Sequence, residues 1–383
     1  MNPQEATEKI TFCFMGKGDE NKEKKNKLKI SVVGPRGYTG AETIKILSLH
    51  PCVDEIQLLT LSEDDKQKEE QTELEITRAI PSFRKYLQKV SKIEKFSEER
   101  LEGSDAIFFC TEQNKAHKIV SRIVELGISS FIIDLSPDFR FKDVEQYKKV
   151  YSFDHAIPSA IQKTAYGLTE LYREKIKGSE IVANPGCYPT ATLLATAPLI
   201  NYAKKQGLII EWIIVDAKSG VTGAGRKALP HLTLAYLSEN IKVYAWSEHR
   251  HVPEMQEKLK ELFDISPPLN FTAQLIPAKR GILETIWIKL DEKPEPDKVL
   301  EEYQNFSLKN FFFDFWGEEL PDIYSVTGTN FIRVGIRCKD NIIMLVSVLD
   351  NLIKGASGQA VQNLNIKFGY DEKAGLELPP IFT

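Results

Sequence analysis

The chain has 383 residues, 42% of them hydrophobic and 27% charged, with a formal net charge of -4 and a pI near 6.0. That balance suits a soluble globular protein of two or three domains, and it excludes a nucleic acid or an anionic membrane as a partner held by bulk charge. No apolar run approaches the roughly 18 residues of a membrane span. The 5 cysteines are scattered, with no CxxC, which excludes a disulfide framework and a zinc pattern and fits reduced thiols in a cytoplasmic setting.

In chain order, residues 1–27 are polar and mixed in charge, and are expected to form a flexible tail. Leu28–Val33 (LKISVV) is a short apolar run rich in β-branched residues, the pattern of a buried strand. Gly34-Pro35-Arg36-Gly37-Tyr38-Thr39-Gly40 follows, then a helix over Ala41–Leu49. Strand, glycine turn and helix start together admit a phosphate, because glycine lets backbone come close and the helix N-terminus attracts an anion. The spacing is GxxGxxG rather than the commoner GxGxxG. A second strand is expected over Glu55–Leu61. The residue at its end would meet the adenosine ribose of a dinucleotide. Ser62 stands there, followed by Glu63, Asp64 and Asp65, a mixed signal between NADP and NAD. Strands over Asp105–Cys110 and Ser130–Leu135, with a helix over Asn114–Leu126 between them, predict a parallel, doubly wound sheet. Residues 34–40 and Ser136–Arg140 fall at its carboxyl edge, where ligands bind.

Asn184-Pro185-Gly186-Cys187-Tyr188-Pro189-Thr190 sets one cysteine among turn residues before a helix read as Thr190–Ala203. A lone cysteine is ordinarily a packing residue. At a helix start, however, free N–H groups and the positive end of the dipole favour thiolate, the reactive form. Leu208–Ala217 reads as a strand. It runs into Lys218–Lys227, glycine-rich and basic, which is either a flexible turn or a seat for an anionic substrate. Glu248–Met255 (EHRHVPEM) opens a helix to Phe263 and holds two of the 6 histidines. Histidines at i and i+2 with no further ligand make a poor metal site, so no metal is expected. An acid/base pair beside an anion-binding arginine is more economical. Strands over Phe271–Ile276, Ile282–Leu290, Phe331–Cys338 and Ile342–Leu349, with a helix over Val299–Phe306, describe an α+β domain with a mostly antiparallel sheet. A dinucleotide turn, a cysteine nucleophile and a histidine suit aldehyde–acyl interconversion through a thioester.

The stretches GPRGYTGAE (34–42), DLSPDFR (134–140), YGLTEL (166–171), NPGCYPT (184–190), SGVTGAGRK (219–227), EHRHVPEM (248–255) and DNLIKGASGQAVQN (350–363), in this order, resemble the N-acetyl-gamma-glutamyl-phosphate reductase family of the aspartate-semialdehyde dehydrogenase superfamily. The resemblance implies an α/β fold. A discontinuous Rossmann-type dinucleotide-binding domain (28–183 and 351–383) would join a catalytic and dimerisation domain (184–350) with a mostly antiparallel sheet. It implies NADPH-dependent reduction of N-acetyl-L-glutamyl 5-phosphate to the 5-semialdehyde in arginine biosynthesis, with release of inorganic phosphate. A homodimer or homotetramer is expected, with no nucleic acid and no membrane. Cys187 is the implied nucleophile and His251 the acid/base, with His249 as its alternative. Gly34, Arg36, Gly37, Tyr38, Thr39, Gly40, Ser62, Ser136 and Gly358 would line NADP(H). Arg140, Asn184, Ser219, Arg226 and Arg250 would face the substrate or its phosphate. The competing reading is reduction of a related acyl phosphate: aminoadipyl, carrier-bound glutamyl or aspartyl.

Overall fold

The structure is a computed structural model that describes residues 27–61, 89–226 and 233–381. The expected tail before residue 27, Ser62 with the acids after it, and Lys227 lie outside these residues.

Two seven-stranded sheets organise the chain. The first holds β1 (Leu28–Val33), β2 (Val53–Thr60), β3 (Val90–Lys95), β4 (Ala106–Phe109), β5 (Phe131–Asp134), β6 (Ala165–Tyr166) and β7 (Ile181–Ala183). Its order is β3-β2-β1-β4-β5-β7-β6, and every pairing is parallel. Ile30, Val32 and Val33 of β1 are all sealed from solvent, as in a sheet covered on both faces. The order reverses between β1 and β4, so the crevice beyond their carboxyl ends is the place for a ligand.

The second sheet holds β8 (Ile210–Ser219), β9 (Lys242–Trp246), β10 (Leu269–Leu275), β11 (Ile282–Leu290), β12 (Phe313–Phe315), β13 (Ile332–Lys339) and β14 (Ile342–Leu349). Its order is β12-β13-β14-β11-β8-β10-β9. The pairs β8–β10 and β12–β13 are parallel and the rest are antiparallel, as the sequence led one to expect. Residue alternation is plain in β11, where Ile282, Ile286, Ile288 and Leu290 turn inward. Asp340 takes a left-handed φ of 52° to close the β13–β14 hairpin.

The cysteine helix (Cys187–Gln206) runs from the first sheet onto the second. Fifteen of its 20 residues are buried, and Pro198 is absorbed in its interior. The C-terminal helix (Gly358–Phe368) returns to the first sheet and packs on the helix Thr169–Gly178. Thr169 Oγ1 donates to Asn363 Oδ1 at 2.7 Å, and Lys354 Nζ pairs with Glu170 at 2.6 Å, both charges fully buried.

Candidate active site

The glycine turn works by lacking side chains. Gly34 has φ 83°, and a Cβ there would sit 2.6 Å from the Cys110 carbonyl oxygen. A Cβ on Gly40 would meet Gly34 O at 2.5 Å. The first helix begins at Tyr38, three residues earlier than the sequence suggested, so Gly40 belongs to its first turn. Gly37 is the N-cap residue, and a Cβ on it would touch nothing within 4 Å. No acid lies in the first helical turn. This turn fits the pyrophosphate of a dinucleotide: it is open above Gly37, carries no acid in the first helical turn, and is faced by helix N–H groups. Thr39 and Gly40 would bring those N–H groups, while Tyr38 is exposed beside them.

Cys187 is the first residue of the cysteine helix, with Gly186 as N-cap. Its thiol is pushed up to about 11. Burial is the main cause; the Tyr188 N–H, Arg140 and Arg250 pull the other way and do not offset it. The expectation that the helix end favours thiolate is therefore corrected: in the resting protein, desolvation wins.

His251 opens a second helix (His251–Phe263) and is buried. Its ring lies flat against the cysteine turn, for a Cβ on Gly186 would fall 2.6 Å from His251 Nε2. Its Nδ1 has no hydrogen-bond partner. Burial holds it well below the usual histidine range, helped by His249, Arg140 and Arg250. His249 packs beside it at 4.7 Å between ring centroids, and its Nδ1 accepts from the His251 N–H at 3.2 Å. His249 is lowered to about 4, by burial and then by Arg250. His251 thus stands nearer the turn that holds Cys187, and His249 backs it.

A carboxylate joins these parts, and sequence reasoning gave it no role. Glu254 is fully buried, one helical turn beyond His251. Its Oε1 accepts from the Gly186 N–H at 2.9 Å and from Tyr166 Oη at 2.7 Å; its Oε2 accepts from Arg140 Nη1 at 3.3 Å. Arg140 also donates from Nε to Asn184 O at 2.9 Å and from Nη2 to Leu135 O at 3.1 Å. Arg140 therefore braces the cysteine turn rather than opening onto free space. Asn184 is likewise tied down, Nδ2 donating to Ala356 O at 3.0 Å and Oδ1 accepting from Asn363 at 3.2 Å.

The other expected residues divide in the same way. Ser136 is buried and donates to Asp134 Oδ2 at 2.9 Å, while Gly358 is packed against Asn330 and Ile353. Ser219 is buried and donates to Gly220 O at 3.0 Å. Arg250 and Arg226 are exposed. Arg250 Nη1 reaches Gln113 Oε1 at 3.4 Å, and Arg226 Nη1 donates to Arg36 O at 2.8 Å. Arg226 thus carries the loop after β8 across to the glycine turn. Gly355 and Ser357 complete the junction. A Cβ on Gly355 would lie 2.8 Å from Cys187 Cβ, and Ser357 Oγ donates to Thr39 O at 2.9 Å. The cysteine and the glycine turn therefore touch one short segment two residues apart. Among the described residues, no group of three His, Cys, Asp or Glu side chains could hold a metal.

Residues 29–179 match the semialdehyde dehydrogenase NAD-binding domain, and residues 187–351 match the semialdehyde dehydrogenase dimerisation domain. The N-acetyl-gamma-glutamyl-phosphate reductase of Caldicellulosiruptor bescii is 40% identical over 353 residues, which is 91% of this chain and 98% of the relative. That of Geobacillus stearothermophilus is 36% identical over 359 residues, 93% of this chain and 99% of the relative. The chain belongs to the N-acetyl-gamma-glutamyl-phosphate reductase family. It is an oxidoreductase with a nicotinamide dinucleotide as cofactor. Solved structures share the fold at low identity. Aspartate semialdehyde dehydrogenase II of Vibrio cholerae has a TM-score of 0.64 at 17% identity, over 89% of this chain and 98% of that one. The Candida albicans aspartate semialdehyde dehydrogenase with NADP has 0.60 at 14%, over 89% and 99%.

Proposed function

We propose that this reductase converts N-acetyl-L-glutamyl 5-phosphate to N-acetyl-L-glutamate 5-semialdehyde, with NADPH as donor, as a step of arginine biosynthesis. The observation that carries the reading is the nucleophile geometry: Cys187 begins a buried helix, and the His251 ring is pressed against the residue before it. The relatives' names supply the substrate.

Thiol and imidazole both rest uncharged, since burial raises the one and lowers the other. The Cys187 proton therefore moves to His251 as the sulfur–carbon bond forms. Inorganic phosphate leaves, and the acyl group stays on sulfur as a thioester. When bound, the reduced nicotinamide supplies the hydride that reduces that thioester. As the aldehyde departs, His251 returns the proton to sulfur. Arg250 and Arg226, both exposed, are the cations suited to the anionic ends of the substrate. Gly34, Arg36, Gly37, Tyr38, Thr39 and Gly40 would seat the cofactor, with Ser62 at its ribose. Arg140, Asn184, Ser136 and Gly358 then serve by holding the walls.

We further infer that 28–183 with 351–383 forms the dinucleotide-binding unit, and that 184–350 is the catalytic and dimerisation unit of a cytoplasmic homodimer or homotetramer. Exposed Ile214, Val243, Tyr244 and Trp246 on the second sheet support an oligomer. The deciding assay runs in reverse: phosphate-dependent reduction of NADP by candidate semialdehydes. N-acetylglutamate semialdehyde should exceed the aminoadipate and aspartate semialdehydes. No activity with it would overturn the substrate, and a tenfold preference for NAD would overturn the cofactor.

A further inference from the structure

Glu284 has no part in the chemistry above, yet it stands beneath the nucleophile's helix. It occupies an inward position of β11, in series with Ile282, Ile286, Ile288 and Leu290, and is fully buried. A carboxylate there without a cation is costly by several kcal/mol. Its Oε2 accepts from Thr192 Oγ1 at 2.8 Å, and its Oε1 has no partner. Thr192 lies on the cysteine helix. Directly opposite Glu284 on β14 is Ser347, whose Oγ donates to Ala191 O at 3.4 Å. Two facing sheet residues therefore grip consecutive residues of that helix. Glu284 is also near enough for its charge to push the Cys187 thiol upward. The charged groups that bear on that thiol are Arg140 and Arg250, which lower it, and Glu284 itself. No cation among the described residues pairs with Glu284, and burial holds its carboxyl well above the ordinary range.

We propose that Glu284 is a positioning residue, a protonated acid that seats the cysteine helix on the second sheet and keeps negative charge away from Cys187. The idea rests on Cys187 being the nucleophile, but its first test does not require turnover. In the full-length protein, Cys187 alkylation by iodoacetamide is followed against pH, with the modified peptide identified by mass. Glu284→Gln keeps the shape and is always neutral. It should leave the alkylation midpoint unchanged, hold kcat within about threefold, and remove one protonated-carboxyl band from the infrared spectrum. A midpoint lower by a unit or more would mean that the wild-type residue is ionised, and would overturn the proposal. Glu284→Ala should lower kcat about tenfold with the cofactor KM unchanged. If that variant does not fold, Thr192→Val removes the same tie and should show the same loss; a wild-type kcat in the variant that folds would overturn the positioning role. Activity in Cys187→Ser would instead remove the nucleophile assignment, and would leave the infrared and alkylation results standing.

Discussion

The glycine turn after β1 and the turn before the cysteine helix both present a helix N-terminus, and both touch the segment 355–357. They are made in contrary ways. The first is bare backbone: Gly34 and Gly40 are pressed on carbonyl groups and Gly37 faces open space. The second is crowded with side chains: Glu254, Arg140, Tyr166 and Asn184 fix the backbone, and His251 lies on Gly186. A cofactor that leaves intact each cycle can be held by shape and dipole. A nucleophile that makes and breaks bonds needs its neighbours immobile to a fraction of an ångström.

The contrast can be tested from its strong side to its weak side. Cys187→Ser should lose on the order of 10³-fold or more in turnover while still binding NADPH, followed by quenching of protein fluorescence. Retention of more than a few per cent of activity would remove the sulfur from the mechanism. Next comes His251→Asn, expected to lose several hundredfold in kcat; a larger loss in His249→Asn would exchange the roles of the two rings. Glu254→Ala leaves Arg140 buried without its carboxylate, so urea unfolding should show a loss of about 3–5 kcal/mol. A loss below about 1 kcal/mol would make the clamp incidental.

Acid should destabilise both halves through their buried histidines. His249, like His50 and His155 elsewhere, is held at about 4 in the fold against an ordinary 6.5. The unfolded chain binds those protons first, so stability is lost as pH falls from 6.5 toward 4, and is full above that range. Thermal melts across that window check the sign. The smallest effects belong to the glycine turn. Gly40→Ala should cost about 1–3 kcal/mol by overpacking. Gly37→Ala should leave the melting temperature almost unchanged and raise only the KM for NADPH; an equal cost at both positions would break the distinction.

This division also sets what could be read from the sequence. Leu28–Val33, Ile282–Leu290 and Ile342–Leu349 are strands at the expected residues, because each is an apolar run closed by turn chemistry. The two-residue β6 and three-residue β7 are too short to show any period. Strand β9 was missed because Val243, Tyr244 and Trp246 are exposed on both faces, so no alternation marks it. Gly34, Cys187 and His251 stand out in the sequence because each is an unusual residue in a telling place, and the structure sets His251 against the turn that holds Cys187. Glu254 does not stand out. An acid on a helix reads as a solvated surface group, and only the tertiary structure shows the three residues that converge on it. Its spacing from His251, one turn along the same face, was the available clue. Ser136 and Arg140 were picked out by motif, but the motif could not show the hydrogen bonds that tie them to Asp134, Asn184, Leu135 and Glu254.

The segment 350–368 has a bearing on how the protein comes to be made. Gly355 closes on Cys187, Ser357 on Thr39, and Asn363 on Asn184. All three contacts come from a segment that follows both sheets in the chain. The thiol's enclosure therefore cannot assemble during synthesis of the first 349 residues, however well the two sheets have formed. A nascent chain that stops short of Asn363 carries Cys187 without that lining, and the thiol gains its final environment only once residues 355–363 have been made.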